Sequence, residues 1–527
     1  MSDTADVAII GLGPVGAILA VLLGQQGVRT IAIDKSDDIY PLPRAIGFDH
    51  EIMRILQNVG LADSVAPYIA PYPPTEYHGV GGTVIARYDS LPAPYPQGWE
   101  PSFVFTQPPF ERAIRGALNT MLSVEVRLST TLESIKEQDD RVEMEVVTAS
   151  GEREKLRARY AVGCDGASSA VRKQLGIAFE SLDFDEPWLV VDILVNQDKL
   201  HKLPKTIVQY CDPARPTTYV LGPGNHRRWE IMLLPGEAAD EMCRDDSIWR
   251  LVSRWLGPED AKLWRAASYT FHALVAKEWR RGRVFLAGDS AHMTPPFMAQ
   301  GMCQGFRDAA NLAWKLSLVM KGQATGALLD TYQLERRPHV RTTTETAKSL
   351  GGIICEFDPV KAKERDDRML TEWGDPPVVR HRQDLIPGLI EGALLSEQGK
   401  PVGTRFPQPR VATPEGVRLL DDLVGTSFRL AVTQEVAESD ISLDLQQDIM
   451  RLGGSILFLR TSGCSARINS NAFSIVETDG VLRTWLQSHQ LVAALVRPDH
   501  YVFGVARQPS ELIELGRLFR DRLLTIS

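Results

Sequence analysis

Apolar and polar positions along this chain change period several times, and the changes mark out its elements. Residues 7–10 form a short apolar run, a glycine-rich stretch follows, and an apolar, alanine-rich segment continues to about residue 26 before a second run at 30–33. That order predicts a strand, a helix and a second, parallel strand. Residues 49–61 carry helical spacing, 66–101 are rich in Pro, Tyr and Gly and predict loops and short strands, and 124–160 alternate in three strand-like runs. Runs at 188–195 and 206–210 predict a second sheet, and residues 283–286 predict a strand followed by a proline-rimmed loop and a helix. Residues 326–350 predict a long polar helix, while β, α, β runs at 428–432, 443–452 and 455–459 predict a separate C-terminal unit. The expected organisation is 1–180, 181–275, 276–395 and 400–527, with the first and third segments building one α/β domain around the second.

Composition narrows the function classes. With 527 residues, 44% of them hydrophobic and 24% charged, the chain is long enough for two or three ordinary globular domains. A net charge of −9 leaves no excess of Lys and Arg to neutralise phosphates, which argues against nucleic acid as a partner. Six cysteines are scattered without CxxC or metal-ligand spacing, as expected for reduced thiols and no metal site. No apolar run approaches the ~20 residues of a membrane helix, and the chain starts without a basic, cleavable leader pattern. The expectation is a cytoplasmic enzyme with no membrane partner.

Two motifs carry chemistry. Gly11-Leu12-Gly13-Pro14-Val15-Gly16 follows the first predicted strand and opens the first helix, and Asp34 ends the second strand eighteen residues after Gly16. In such a unit the first glycine permits the tight turn, the second admits a pyrophosphate, and the third lets helix pack on strand, with the acid on a ribose. Lys35 follows that acid. The second motif, Gly288-Asp289-Ser290-Ala291-His292-Met293-Thr294-Pro295-Pro296, delivers a carboxylate at a strand end and leads to Gln300-Gly301-Met302 at a helix start. Free amides there can face an anion, and reduced flavin carries negative charge along its pyrimidine edge. Together the two motifs select FAD over NAD as the tightly held dinucleotide.

A third motif, Cys164-Asp165-Gly166, lies between them, where an ordinary strand-to-helix turn would use the same residues. The order GxGxxG, Asp165-Gly166, Gly288-Asp289 resembles the class A flavoprotein aromatic hydroxylases over nearly the whole chain. Pro43-Arg44-Ala45-Ile46-Gly47, Phe105-Thr106-Gln107-Pro108, Gln300-Gly301-Met302-Cys303 and Val496-Arg497-Pro498-Asp499 look most like the 3-(3-hydroxyphenyl)propionate hydroxylase and phenol hydroxylase branch. The resemblance implies a Rossmann-like FAD domain, an interleaved substrate sheet and a thioredoxin-like C-terminal domain without disulfide chemistry. It implies NADH or NADPH as reductant and O2 as co-substrate, with oxygen added at flavin C4a and the hydroperoxide hydroxylating a phenol ortho to its OH. The expected substrate is a small aromatic with an acidic side chain, and a homodimer is a further expectation. The same fold also hosts tailoring hydroxylases and Baeyer-Villiger oxygenases of polycyclic aromatics, and a flavin-binding protein without catalysis is an alternative of another class.

Carried onto this sequence, the resemblance implies that Gly11, Gly13, Pro14, Gly16, Asp34 and Lys35 hold the ADP half, and that Arg44 lies near the phosphates. Gln107 and Asp289 are expected on the ribityl chain, Asp165 ordering the cofactor region, and Gly288, Pro296, Gly301 and Met302 against the isoalloxazine. Pro295 and Phe297 are expected to wall the ring site, with His292 supporting the loop. Many relatives have Gly where this chain has Ala299 and Asn where it has Cys303; Ala299 is tolerated only if its φ is negative. The phenol-activating group is sought among Tyr210, Tyr219 and His50, with His226 and His272 as further candidates. Arg215, Arg227 or Arg228 could bind a substrate carboxylate.

Overall fold

The computed structural model describes residues 4–524. Its first strand, Thr4–Ile10, pairs in parallel with Thr30–Ile33 on one side and Arg153–Gly163 on the other. Val124–Arg127 and Val284–Leu286 extend this sheet in parallel at its two sides. Val124–Arg127 at the edge is charged and partly exposed, whereas the central strand from Val7 onward and its neighbour Thr30–Ile33, with Val284–Leu286 and the end of Arg153–Gly163, are apolar and buried where both faces of the sheet are covered. Helices Pro14–Gln25 and Gly301–Met320 pack together over it. Residues following four of these parallel strands, Gly11, Asp34, Cys164 and Ala287, therefore lie along one carboxyl edge, where α/β sheets bind ligands.

The second sheet has nine strands and is built around the long antiparallel pair Phe179–Val195 and Ala261–Ala276. It recruits more of the chain than 181–275: Thr75–His78 and Val84–Asp89 join it, as does Val379–His381. The Pro- and Tyr-rich stretch thus contributes two strands to the nine-stranded sheet. The long helix runs Thr331–Ile354 behind a short 3-10 turn, Gly326–Asp330. Its Tyr332 hydroxyl donates to the Leu286 carbonyl at 2.8 Å, which seats it under the Gly288-Asp289 loop.

In the C-terminal unit, Arg429–Val432 pairs in parallel with Ser455–Leu459 and antiparallel with Ala493–Val496, which continues antiparallel to Val502–Ala506. With helices Leu443–Arg451, Val481–Ser488 and Leu512–Phe519, this is the thioredoxin-like order. The unit is joined to the rest by buried charge clusters. Arg497 donates to Glu335 Oε2 at 2.8 Å and to Asp499, while Lys315 reaches Glu335 from the helix Gly301–Met320 at 2.8 Å. Arg54 and Arg429 converge on Asp421. Removing one member leaves a buried charge uncompensated, so Arg497→Ala is expected to lower the free energy of unfolding by about 3–5 kcal/mol in a denaturant titration. Among the described residues no helix is long and apolar enough to cross a membrane.

Candidate active site

The glycines of the first motif do different work. Gly11 has φ +97°, and a Cβ there would lie 2.5 Å from the Cys164 carbonyl oxygen; a Cβ on Gly16 would lie 2.0 Å from the Gly11 oxygen. Both are required by the packing of turn, helix and the Cys164-Asp165 strand end. Gly13 differs, because a Cβ there would meet nothing within 4 Å. It caps the helix Pro14–Gln25 without a side-chain hydrogen bond, so the first helical amides face open space beside it. Asp34 accepts from the Leu12 amide at 2.7 Å and the Ser36 amide at 2.8 Å, bracing the same turn. Lys35 is exposed beyond the strand end and lies off the cavity wall.

From Gly13 and Pro14 a cavity of about 400 Å³ runs past Arg44, Gln107 and Asp289 to the inner face of the nine-stranded sheet. Gln107 holds the Arg44 loop, its Oε1 accepting from the Arg44 and Ala45 amides at 3.0 and 2.7 Å. The Arg44 guanidinium stands over the Tyr40 ring at 5.2 Å, and its charge acts on the carboxyls of Asp289 and Glu111. Asp165 turns from the cavity and caps the helix Ala170–Gln174 by accepting from Ser169 Oγ and the Val171 amide, while Cys164 and Gly166 form the wall. Its carboxylate is therefore committed to its own helix.

The second motif is braced from behind. Asp308 accepts from the Gly288 amide at 3.0 Å, from His292 Nε2 at 2.8 Å and from Arg336 at 2.9 Å, all buried. Gly288 takes φ +63° close to Val15, which brings the loop onto the first motif. The Asp289 carboxylate has no hydrogen bond to protein and opens into the cavity; the protein around it raises its pKa against the pull of His292 and Arg44. Gly301, at the first position of its helix, would also place a Cβ in open space. A dinucleotide cradle beside Gly13, a cation at Arg44, an unpartnered carboxylate and a second free helix start fit FAD.

Ala299 adopts φ +56°, ψ 34°, so the expectation of a negative φ is overturned. A left-handed alanine costs roughly 1–2 kcal/mol. Ala299→Gly is therefore expected to be neutral or to raise stability by up to about 1 kcal/mol in thermal or denaturant unfolding, where alanine-to-glycine changes ordinarily cost stability. Cys303 is buried behind the loop, its thiol pointing to the Ala299 carbonyl at 3.4 Å. Pro296 and Phe297 reach the cavity, whereas Pro295 is buried behind them. Phe297 packs edge-on against Trp188 and Phe271, a rigid aromatic wall.

The candidates for phenol activation require correction. Side chains alternate across a strand, and the cavity takes Gln209, Thr218 and Val220 from the strands that carry Tyr210 and Tyr219. Tyr219 points into the opposite core, its ring 5.2 Å from Trp229 and its hydroxyl on the Pro204 carbonyl. Tyr210 packs against Trp255 on that same far side. His50 lines a separate pocket of about 20 Å³, room for a single water. Burial and Arg405 push its pKa down to about 4 against the pull of Asp49, so it is neutral near pH 7. Arg215 is bound to Glu237 at 2.6 Å, off the cavity, and Arg227 is spent on turn carbonyls. His226 is buried on Asp192, while His272 stands at the cavity wall paired with Asp185.

The group that sequence reasoning missed is Glu230. It lies on the strand His226–Met232 two residues from Arg228, with Trp229 and Ile231 turned into the opposite core. Across the strands its neighbours are Thr218 and Val190. Its carboxyl has no hydrogen bond to protein, faces the cavity, and stands 3.9 Å from Arg228. Burial pushes its pKa up to about 7, with Asp192 adding to the shift and Arg228 opposing it. A charged pair alternating with apolar residues inside a strand was the signal available in the sequence.

The comparisons with known proteins decide the family. Residues 4–347 match the family model described as FAD binding domain, and residues 403–519 match the HcaD C-terminal domain. A probable NADH-specific resorcinol 4-hydroxylase of Rhodococcus jostii (strain RHA1) is 37% identical over 519 residues, covering 97% of this chain and 94% of that protein. The chain belongs to the class A flavin-dependent aromatic hydroxylases. It is a monooxygenase using FAD, a reduced nicotinamide and O2. The 3-(3-hydroxy-phenyl)propionate/3-hydroxycinnamic acid hydroxylase of Escherichia coli O81 (strain ED1a) is 34% identical, covering 96% of this chain and 92% of that hydroxylase. The flavin-dependent monooxygenase PieE, solved with FAD and substrate, shares the fold at TM-score 0.80 and 19% identity, covering 98% of each chain. Aklavinone-11 hydroxylase, solved with FAD and aklavinone, does so at TM-score 0.79 and 22% identity, covering 99% of this chain and 100% of its own.

Proposed function

We propose that this hydroxylase acts on a monocyclic phenol, inserting the oxygen ortho to its hydroxyl, with Glu230 accepting the phenolic proton. One observation carries the proposal: a single cavity joins the flavin-binding motifs to a carboxyl that has no hydrogen bond to protein and whose pKa burial pushes up to about 7. A base whose pKa lies near the working pH is best placed for proton transfer. Removing the proton enriches the ring carbons ortho and para to oxygen, which makes them better nucleophiles. The cavity of about 400 Å³ is shared between flavin ring and substrate, which supports one aromatic ring rather than a polycyclic system.

On this reading Gly13 and the following amides hold the pyrophosphate, Asp34 the ribose and Arg44 the phosphates. Asp289 takes a ribityl hydroxyl, and the Gly301 and Met302 amides face the pyrimidine edge. When bound, FAD supplies hydride acceptance from the nicotinamide and activation of O2. Phe297 and Phe271 keep water from the reacting edge. The name of the Rhodococcus relative supports NADH as the reductant. Turnover of a phenol under ¹⁸O2 is expected to give a catechol carrying one labelled oxygen; label taken from water, or a ring-expanded ester, would contradict the proposal.

A further inference from the structure

The inner face of the nine-stranded sheet presents two rows of side chains to the substrate end of the cavity. One row, set by strand register, is Gln209, Thr218, Glu230 and Val190; the next is Val220, Arg228, Asp192 and Arg265. The second row holds the two arginines that a substrate carboxylate would seek, and both are already engaged. Arg228 gives Nε to Asp192 at 2.7 Å and Nη1 to the Arg44 carbonyl at 2.7 Å, with Nη2 shared between Asp192 and the Pro43 carbonyl. Arg265 gives Nη1 to the Pro43 carbonyl at 2.6 Å and to Asp192, and Nη2 to the Tyr269 hydroxyl, while its Nε is sealed inside the protein. These contacts pin the Pro43-Arg44 loop to the sheet and leave no guanidinium edge for a bidentate carboxylate. The first row adds a carboxyl and two neutral polar side chains, with Thr218 Oγ1 donating to Gln209 Oε1.

We propose that this sheet face selects uncharged phenols, whose hydroxyl binds Glu230, and rejects phenols carrying a carboxylate. A second anion beside Glu230 would meet like charge in a partly dehydrated cavity where Arg228 and Arg265 are already engaged by Asp192 and loop carbonyls. Among the described residues, the remaining cavity arginine, Arg44, lies in the loop that Arg228 and Arg265 pin to the sheet, and its guanidinium is directed over the Tyr40 ring at 5.2 Å. The inference rests on the hydroxylase reading above and narrows its substrate class.

The test uses the FAD-loaded full-length enzyme with NADH and two matched pairs: resorcinol and 3-ethylphenol against 3-hydroxybenzoate and 3-(3-hydroxyphenyl)propionate. Product-forming kcat/KM is expected to favour the uncharged members by at least ~100-fold. Affinity for the oxidised enzyme, read from the flavin absorbance change, is expected to follow the same order. In Glu230→Gln, carboxylate binding to the oxidised enzyme is expected to strengthen by roughly 10-fold or more, because the opposing charge is gone. Faster hydroxylation of the carboxylate-bearing members would overturn the inference and leave the hydroxylase reading standing. Unchanged carboxylate affinity in Glu230→Gln would overturn the role given to Glu230. If neither class accelerated NADH oxidation above the rate without phenol, the hydroxylase reading would fail and the inference with it.

Discussion

Gly13→Val is expected to give folded protein that purifies without flavin. A Cβ at this position would meet no atom beyond its chain neighbours within 4 Å, so the expected cost to the fold is that of the helix cap, about 1 kcal/mol. The space it fills is the approach to the first helical amides, where charge-assisted hydrogen bonds to phosphate contribute about 1.5–3 kcal/mol each. Losing one or two of them weakens FAD binding by roughly 10- to 10,000-fold. Flavin absorbance per chain and the melting temperature of the apoprotein measure the two effects separately. Gly16→Ala is the control, since its Cβ would sit 2.0 Å from the Gly11 carbonyl oxygen, and there the fold itself is expected to suffer. A Gly13→Val protein retaining full flavin would remove the first motif from the cofactor site.

Glu230→Gln is expected to lower kcat/KM for phenol hydroxylation by about 10²–10⁴-fold, the usual contribution of a positioned acid or base. Flavin content is expected to stay near that of the parent, because Glu230 lies on the sheet face and not among the flavin-binding motifs. The pH profile carries the sharper signature. Glu230 must be ionised to accept a proton, and burial, reinforced by Asp192 and opposed by Arg228 and Arg265, raises its pKa to about 7. Activity should therefore fall as pH drops through about 7, and that limb should vanish in Glu230→Gln. A parent profile flat from pH 6 to 8 would contradict the assignment.

What could be read from the sequence was what lies close together along it. Gly11 to Gly16 with Asp34, and Gly288-Asp289 with Gly301, are contiguous stretches whose spacing already encodes strand, turn and helix start. The cavity wall on the nine-stranded sheet is assembled across strands that are distant in sequence, where a shift of one residue exchanges the two faces. The sequence points to Tyr210 and Tyr219, but a strand shows alternate residues to opposite faces, and register turns Gln209 and Thr218 to the cavity instead. His50 looked available until burial placed it in a separate pocket beside Asp49. The contribution of residues 75–89 to the same sheet depends on pairing with Ile207–Tyr210, which no local pattern announces. The C-terminal unit is bound to the first helices by contacts such as Tyr501 to Glu51, at 2.9 Å and 450 positions apart in the chain. Ala299 is the reverse case: the sequence identified the departure, and the backbone angle reversed the expected sign of φ.

Coupling of the flavin site to a phenol held at Glu230 through one cavity has a direct consequence for how oxygen is used. Its most direct test is the stoichiometry of NADH consumed, O2 consumed and product formed by the FAD-loaded enzyme with resorcinol, with catalase added to report peroxide. Phenol is expected to stimulate consumption of NADH and O2 in equal amounts, with a product heavier by one oxygen atom and little oxygen returned by catalase. Stimulated oxidation with nearly all the oxygen returned as peroxide, and no hydroxylated product from any single-ring phenol, would contradict it.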